Sequence, residues 1–220
     1  ETALLAIREA PDGRYALALQ RGTATREVLA DHVVLALPFT MLRELDVKLD
    51  LEEPKKAAIA ELGYGTNAKL ICGFSSRPWR EPGKSNGETY TDLGYQNTWE
   101  TSRLQPGKSG IITNYTGGAH GIEIGEGTPE AQMAAFLAQF EQVFPGVSSA
   151  SNGKVARFHW PTYPLTKGSY AGYKVGQYTK FAGAEIERFK NVHFCGEHTS
   201  LDAQGYMEGA ALTGAMAADE

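Results

Sequence analysis

Apolar and polar positions begin to alternate almost at once. "ALLAIREAPDGRYALAL" carries two short runs around Pro11-Asp12-Gly13, which predicts two strands joined by a tight turn. Val33 to Leu37 is a continuous apolar run closed by Pro38. That is the pattern of a strand buried on both faces in a parallel sheet, with a short helix after it. "LEEPKKAAIAEL" predicts a helix with acidic residues at its start and Gly63 at its end, and "NAKLICGF" a strand. From Arg77 to Gly127 the chain is rich in Gly, Thr, Tyr and Asn, and "ETYTD", "YQNTWET" and "GIITNYTG" predict an antiparallel sheet. "TPEAQMAAFLAQFEQVFPG" has the clearest helical period. Thr128 is its expected N-cap, Pro129 its first residue, Glu130 and Glu141 its polar face, and Pro145-Gly146 its stop. "KVARFHW" and "NVHFCGE" predict strands, and residues 161–190 a loop with a short helix. The closing stretch, "GYMEGAALTGAMAA", reads as a helix built mostly of Gly, Ala and Met, without the charged and aliphatic faces of an ordinary surface helix.

Helices and strands thus interleave at both ends around a β-rich middle. The fold class is α/β, or α+β by strict count. Residues 1–44 and 161–220 are expected to build one domain, and 45–160 a β-rich lobe. The 220 residues suffice for one large domain or two smaller ones. A net charge of -5 argues against a nucleic-acid or anionic-membrane surface, and no apolar run approaches the ~20 residues of a transmembrane span. A soluble protein is expected, of a bacterial-type cytoplasm or exported. Glu1 opens directly into strand-like sequence, so the chain reads as processed or cut from a longer one.

Little else in the chain suggests chemistry. Cys72 and Cys195 sit in apolar stretches and read as buried thiols. His32, His120, His159, His193 and His198 have no metal-ligand spacing, and no nucleophile elbow is present. "GYGTNA", Gly63 to Ala68, matches G-x-G-x-x-A, but a helix precedes it and a strand follows, the reverse of a dinucleotide-binding turn. It reads as a helix end and turn. The closing segment has the right order: strand, glycine turn, small-residue helix. Gly196 would let backbone approach a phosphate, Glu197 would accept from ribose or ribityl hydroxyls, and Gly205 to Met207 would aim free N–H groups at a ligand. The plainer reading is a helix packed closely through Gly209, Ala210, Gly214 and Ala217. That leaves "GEHTS" and Tyr206 unexplained.

"HFCGEHTS" followed by "GYMEGAALTGAMAA" resembles the C-terminal signature of the flavin-containing monoamine oxidases. "VVLALP", "AKLICGF" and "WPTYPLTKGSY" fall in that family's order, so the resemblance covers the whole chain as roughly the C-terminal half of a member. It implies part of a Rossmann-like FAD-binding domain plus a β-rich substrate domain. It implies oxidative deamination of an amine with dioxygen as oxidant, and the N-terminal part of the same enzyme as partner. A homodimer stays open. Lys69 matches the lysine that reaches flavin N5 through a water, against a plain solvent-facing strand lysine. Tyr170 and Tyr206 match the aromatic pair that sandwiches the substrate amine. Trp160 matches an aromatic beside the flavin, against core packing. Ser169 stands where some members carry a flavin-linked cysteine, which implies non-covalent FAD. The alternatives are a related flavoprotein with a non-amine substrate, such as a carotenoid desaturase or protoporphyrinogen oxidase, and a non-catalytic piece without FAD. An amino-acid substrate would need an arginine, with Arg77, Arg80, Arg103 and Arg157 as candidates.

Overall fold

The computed structural model describes residues 1–220, and they divide into two compact units. The first comprises Glu1–Tyr64 and Leu165–Glu220; the second is Gly65–Pro164.

In the first unit, β1 (Ala3–Glu9), β2 (Tyr15–Arg21) and β3 (Ala24–Ala30) form an antiparallel meander. The expected turn carries Gly13 at φ 85°, a left-handed conformation that glycine adopts without strain. β4 (Val33–Leu35) runs into Pro38, and α1 (Phe39–Leu42) follows. β5 (Asp46–Lys48) then pairs in parallel with β1. α2 (Glu53–Glu61) begins with Pro54 in its first turn, as the sequence suggests. Gly63 is not a left-handed cap, however. It is small because any side chain there would strike the Gly172 carbonyl, where Tyr64 bridges to Ala171.

The second unit is built on an antiparallel sheet ordered β10-β6-β9-β8-β7. Its strands are β6 (Ala68–Phe74), β7 (Thr89–Tyr90), β8 (Asn97–Glu100), β9 (Gly110–Thr116) and β10 (Ser151–His159). α3 (Gly118–Glu123), α4 (Pro129–Phe140) and α5 (Val147–Ala150) complete it. Along β6, Ala68, Leu70, Cys72 and Phe74 are buried while the residues between are half-buried. The buried set packs with Phe136 and Phe140 of α4 in one core. Trp79 is fully buried there. Its indole donates to Glu100 at 2.9 Å, and Arg77 and Arg80 close on the same carboxylate. Back in the first unit, α6 (Gln177–Phe181) packs near α2, β11 (Val192–Phe194) pairs in parallel with β4, and α7 (Met207–Asp219) closes the chain.

Mixed α and β elements are therefore present as expected. Two details differ. Val34 is 52% exposed, so β4 is not buried on both faces. The stretch 45–64 belongs to the first unit, where β5 pairs with β1 and α2 packs near α6, and residues 161–164 belong to the second. Both thiols are free and buried. No helix is long and apolar enough to cross a membrane.

Candidate active site

β11 ends at Phe194 and the chain turns through Gly196 into a short 3-10 turn, Glu197–Thr199. Gly196 sits at φ 135°, and a Cβ there would meet the His198 ring at 2.6 Å. Its N–H donates to the Thr213 hydroxyl at 3.0 Å, so it pegs the turn to α7. The structure thus gives Gly196 a use other than a phosphate contact. Glu197 is the centre of the arrangement. One carboxylate oxygen accepts from Ala171 N at 3.0 Å and the other from Gly205 N at 2.7 Å. Burial outweighs these two donors and lifts its carboxyl above the ordinary range.

This clamp holds Tyr170 and Tyr206 by their neighbours. Gly205, at φ 85°, lies so near the Tyr170 ring that a Cβ would be 3.6 Å from it. Tyr206 is the N-cap residue of α7 and makes no side-chain cap. Tyr170, Tyr206 and Met207 are all exposed, at 47%, 71% and 91%. α7 can lie close because Gly209 has no side chain; a Cβ would strike the Ala203 carbonyl. Gly214, by contrast, faces open space. Of the two glycines in this helix, only Gly209 is required by a close contact.

Lys69 and Trp160 belong to the second unit. Lys69 is half-buried on the side of β6 opposite the core. In register it lies between Tyr115 of β9 and Phe158 of β10, with its ammonium 5.9 Å from the Trp99 centroid. The Trp160 ring stands 4.4 Å from that of Phe158. Lys69 is therefore neither a solvated surface lysine nor ion-paired. It is a cation among aromatic rings. Trp99, Tyr115 and Phe158 were not among the sequence candidates, though their alternate positions in "NTWET", "ITNYT" and "ARFHW" would have put them on one face.

Sequence reasoning also missed a buried polar cluster under the "GEHTS" turn. Lys55, 3% exposed, donates to the Glu185 carbonyl at 2.7 Å and sits 3.9 Å above the Phe194 ring. Burial pushes its amine down to about 7. Burial and the neighbouring Lys55 together hold the His198 imidazole down at about 4, so it is neutral at pH 7. No cluster of His, Cys, Asp or Glu suited to a metal is present.

The model for flavin containing amine oxidoreductases matches residues 1–220. The chain belongs to that family. Among curated amine oxidoreductase relatives, it is 27% identical over 203 residues to the putative L-amino-acid oxidase YobN of Bacillus subtilis, covering 87% of this chain and 41% of that protein. Polyamine oxidase 3 of Oryza sativa is 27% identical over 197 residues, covering 87% and 39%. The chain thus spans about two-fifths of the length of these relatives. Its fold matches cyclohexylamine oxidase of Brevibacterium oxydans at a TM-score of 0.82 and 20% identity, covering 99% of this chain and 47% of that one. Putrescine oxidase bound to putrescine matches at 0.82 and 16%, covering 99% and 48%.

Family membership implies a flavin, and the first unit fits one. The N-terminus of a 13-residue helix lacks a side-chain cap, is solvent-open and is flanked by two exposed tyrosines, a setting for a flat group with an electron-rich edge. Glu208, in the first turn, offsets the helix dipole in part.

Proposed function

We propose that the full-length protein carrying this chain is a FAD-dependent amine oxidase, with the flavin held non-covalently. The unit of residues 1–64 and 165–220 serves the flavin, and residues 65–164 serve the substrate. The observation that carries this reading is the Glu197 clamp, which ties Tyr170, Gly205 and Tyr206 together at an uncapped helix N-terminus.

When bound, the flavin supplies two-electron acceptor chemistry, taking a hydride equivalent from the amine-bearing carbon and reducing dioxygen to hydrogen peroxide; the imine then hydrolyses to aldehyde and ammonia. The chain's own residues position and stabilise. The Tyr170 and Tyr206 rings flank the amine and hold its carbon toward the acceptor. The first-turn N–H groups of α7 would stabilise negative charge developing on a bound flavin. Lys69, half-buried with its ammonium near the Trp99 ring, would hold a water for the reoxidation chemistry that a bound flavin supplies. Trp160 lines the same region of the second unit.

The full-length protein should show flavin absorption near ~450 nm, release its flavin in acid, and form peroxide from an amine. A colourless protein would favour the non-catalytic alternative, and a yellow one that forms no peroxide from any amine the non-amine alternative. Lys69→Met should slow flavin reoxidation by dioxygen on the order of a hundredfold in stopped flow, with substrate affinity little changed. Reoxidation within about twofold of wild type would make Lys69 a bystander.

A further inference from the structure

Asn114 puts an amide on the side of β9 that faces α4. It lies in register with Leu70 and is 1% exposed. Its Nδ2 donates to the Tyr95 carbonyl at 2.5 Å and to the Asn97 carbonyl at 2.9 Å. Carbonyls only accept, so these two partners fix the orientation of the amide. Its Oδ1 receives no hydrogen bond. A buried acceptor left in that state costs stability until a donor meets it.

The same residue lines a cavity of about 290 Å³ within the second unit. Gln132, Ala135, Phe136 and Gln139 border it at helical spacing, so one face of α4 forms a wall. Gln139 lies against Gly94, and its Oε1 is a second buried oxygen without a donor. The rings of Tyr95 and Phe136, edge to face at 5.4 Å, supply the apolar part. At the rim stands Glu123, exposed and paired with His120 at 3.0 Å. Gln132 holds that rim in place by donating to the Glu123 and Glu126 carbonyls. A water takes roughly 30 Å³ in the liquid, so the cavity has room for a molecule of several heavy atoms.

We infer that this cavity is a binding site for a small organic ammonium ion, on the side of the sheet opposite Lys69. Acceptor oxygens in need of hydrogens favour a ligand that carries N–H groups. A carboxylate and aromatic rings favour one that is positively charged. An anion would meet the Glu123 carboxylate and both unpartnered oxygens, a repulsive arrangement. The inference stands apart from the oxidase reading, because Asn114 and Tyr115, adjacent on β9, point to opposite sides of the sheet and Lys69 shares the side of Tyr115.

The test uses the full-length protein and three ligands of one shape: tert-butylammonium, tert-butanol and pivalate. The ammonium has no hydrogen on its amine-bearing carbon, so an amine oxidase cannot consume it. Saturation-transfer NMR of the tert-butyl signal should give a millimolar or tighter dissociation constant for the ammonium. Binding of tert-butanol should be at least about tenfold weaker, and that of pivalate weaker still. Ala135, exposed on α4, allows the site to be changed without disturbing the core. Ala135→Lys should weaken the ammonium at least about tenfold, while Ala135→Gln stays within about threefold. Should Ala135→Lys fail to fold, Gln139→Leu decides, with a loss of about fivefold supporting the site and no loss overturning it. An ammonium that binds no better than tert-butanol overturns the inference, as does a loss in Ala135→Gln equal to that in Ala135→Lys. Binding that Ala135→Lys leaves unchanged also overturns it, by placing the ligand elsewhere. So does no binding at all, as when another part of the full-length chain fills the cavity.

Discussion

Lys55 shows how much a single side chain can hold in reserve. Its ammonium is drawn to the Phe194 ring and to the Glu185 carbonyl, and Glu185 and Glu187 favour its charge, yet burial outweighs them all. Between about 7 and its ordinary 10.5, the unfolded chain binds this proton and the folded chain does not. Stability of the first unit should therefore climb as pH rises through that window, by about 1 to 4 kcal/mol. His198 works over a lower range. Its stabilising contribution is complete above the ordinary 6.5 and is lost as pH falls toward about 4. Hydrogen exchange of the β11 amides at pH 7 and 9.5 checks the upper window. Lys55→Met should abolish the climb; a climb that persists would place its cause elsewhere. Nothing in "EEPKKAAIAEL" separates Lys55 from Lys56. One is buried, while the other pairs with Glu53 in solvent, and only the packing of α2 decides between them. Glu197 was legible as a polar residue at a glycine turn, but its two backbone partners lie 26 and 8 residues away, beyond any local pattern.

Elements whose signals were local came through. α4 begins where Thr128 and Pro129 place it, and the Thr128 hydroxyl accepts from Ala131 N at 3.2 Å. Thr128→Ala should cost the second unit about 1 kcal/mol and Thr128→Ser little, read from the denaturant midpoint of buried Trp79 fluorescence. No shift in the alanine variant would mean that this cap is dispensable. The other end of α4 departs from the expected pattern. Glu141 leaves the polar face and accepts from Gly146 N and Ser148 N, so the residue after one helix organises the start of α5. β3 and β5 were missed for the opposite reason. "ATREVLA" is exposed along most of its length and "DVK" has three residues, so neither carries an apolar rhythm. They are strands because neighbours offer them free edges.

At the scale of the molecule, the proposed reading gives the flavin only the N-terminus of α7 from this chain. Its lone G-x-G-x-x-A spacing joins a helix to a strand and leaves Gly63 against Gly172. The isolated 220 residues should accordingly bind FAD weakly and be colourless, because a partial site bears the whole ordering cost alone. A titration giving a micromolar or tighter dissociation constant, about -8 kcal/mol, would refute this. The order of the two units along the chain has a consequence of another kind. Val33 waits for Val192, about 160 residues later, while all of residues 65–164 emerge in between. At about 5–20 residues per second, that wait on the ribosome is on the order of ten seconds or more. The second unit can finish folding in that time. β4, with exposed Val34, stays an open strand edge on the nascent chain, so translation itself creates a window in which chaperones, or a neighbouring polysome's β4, compete for the place that β11 will take.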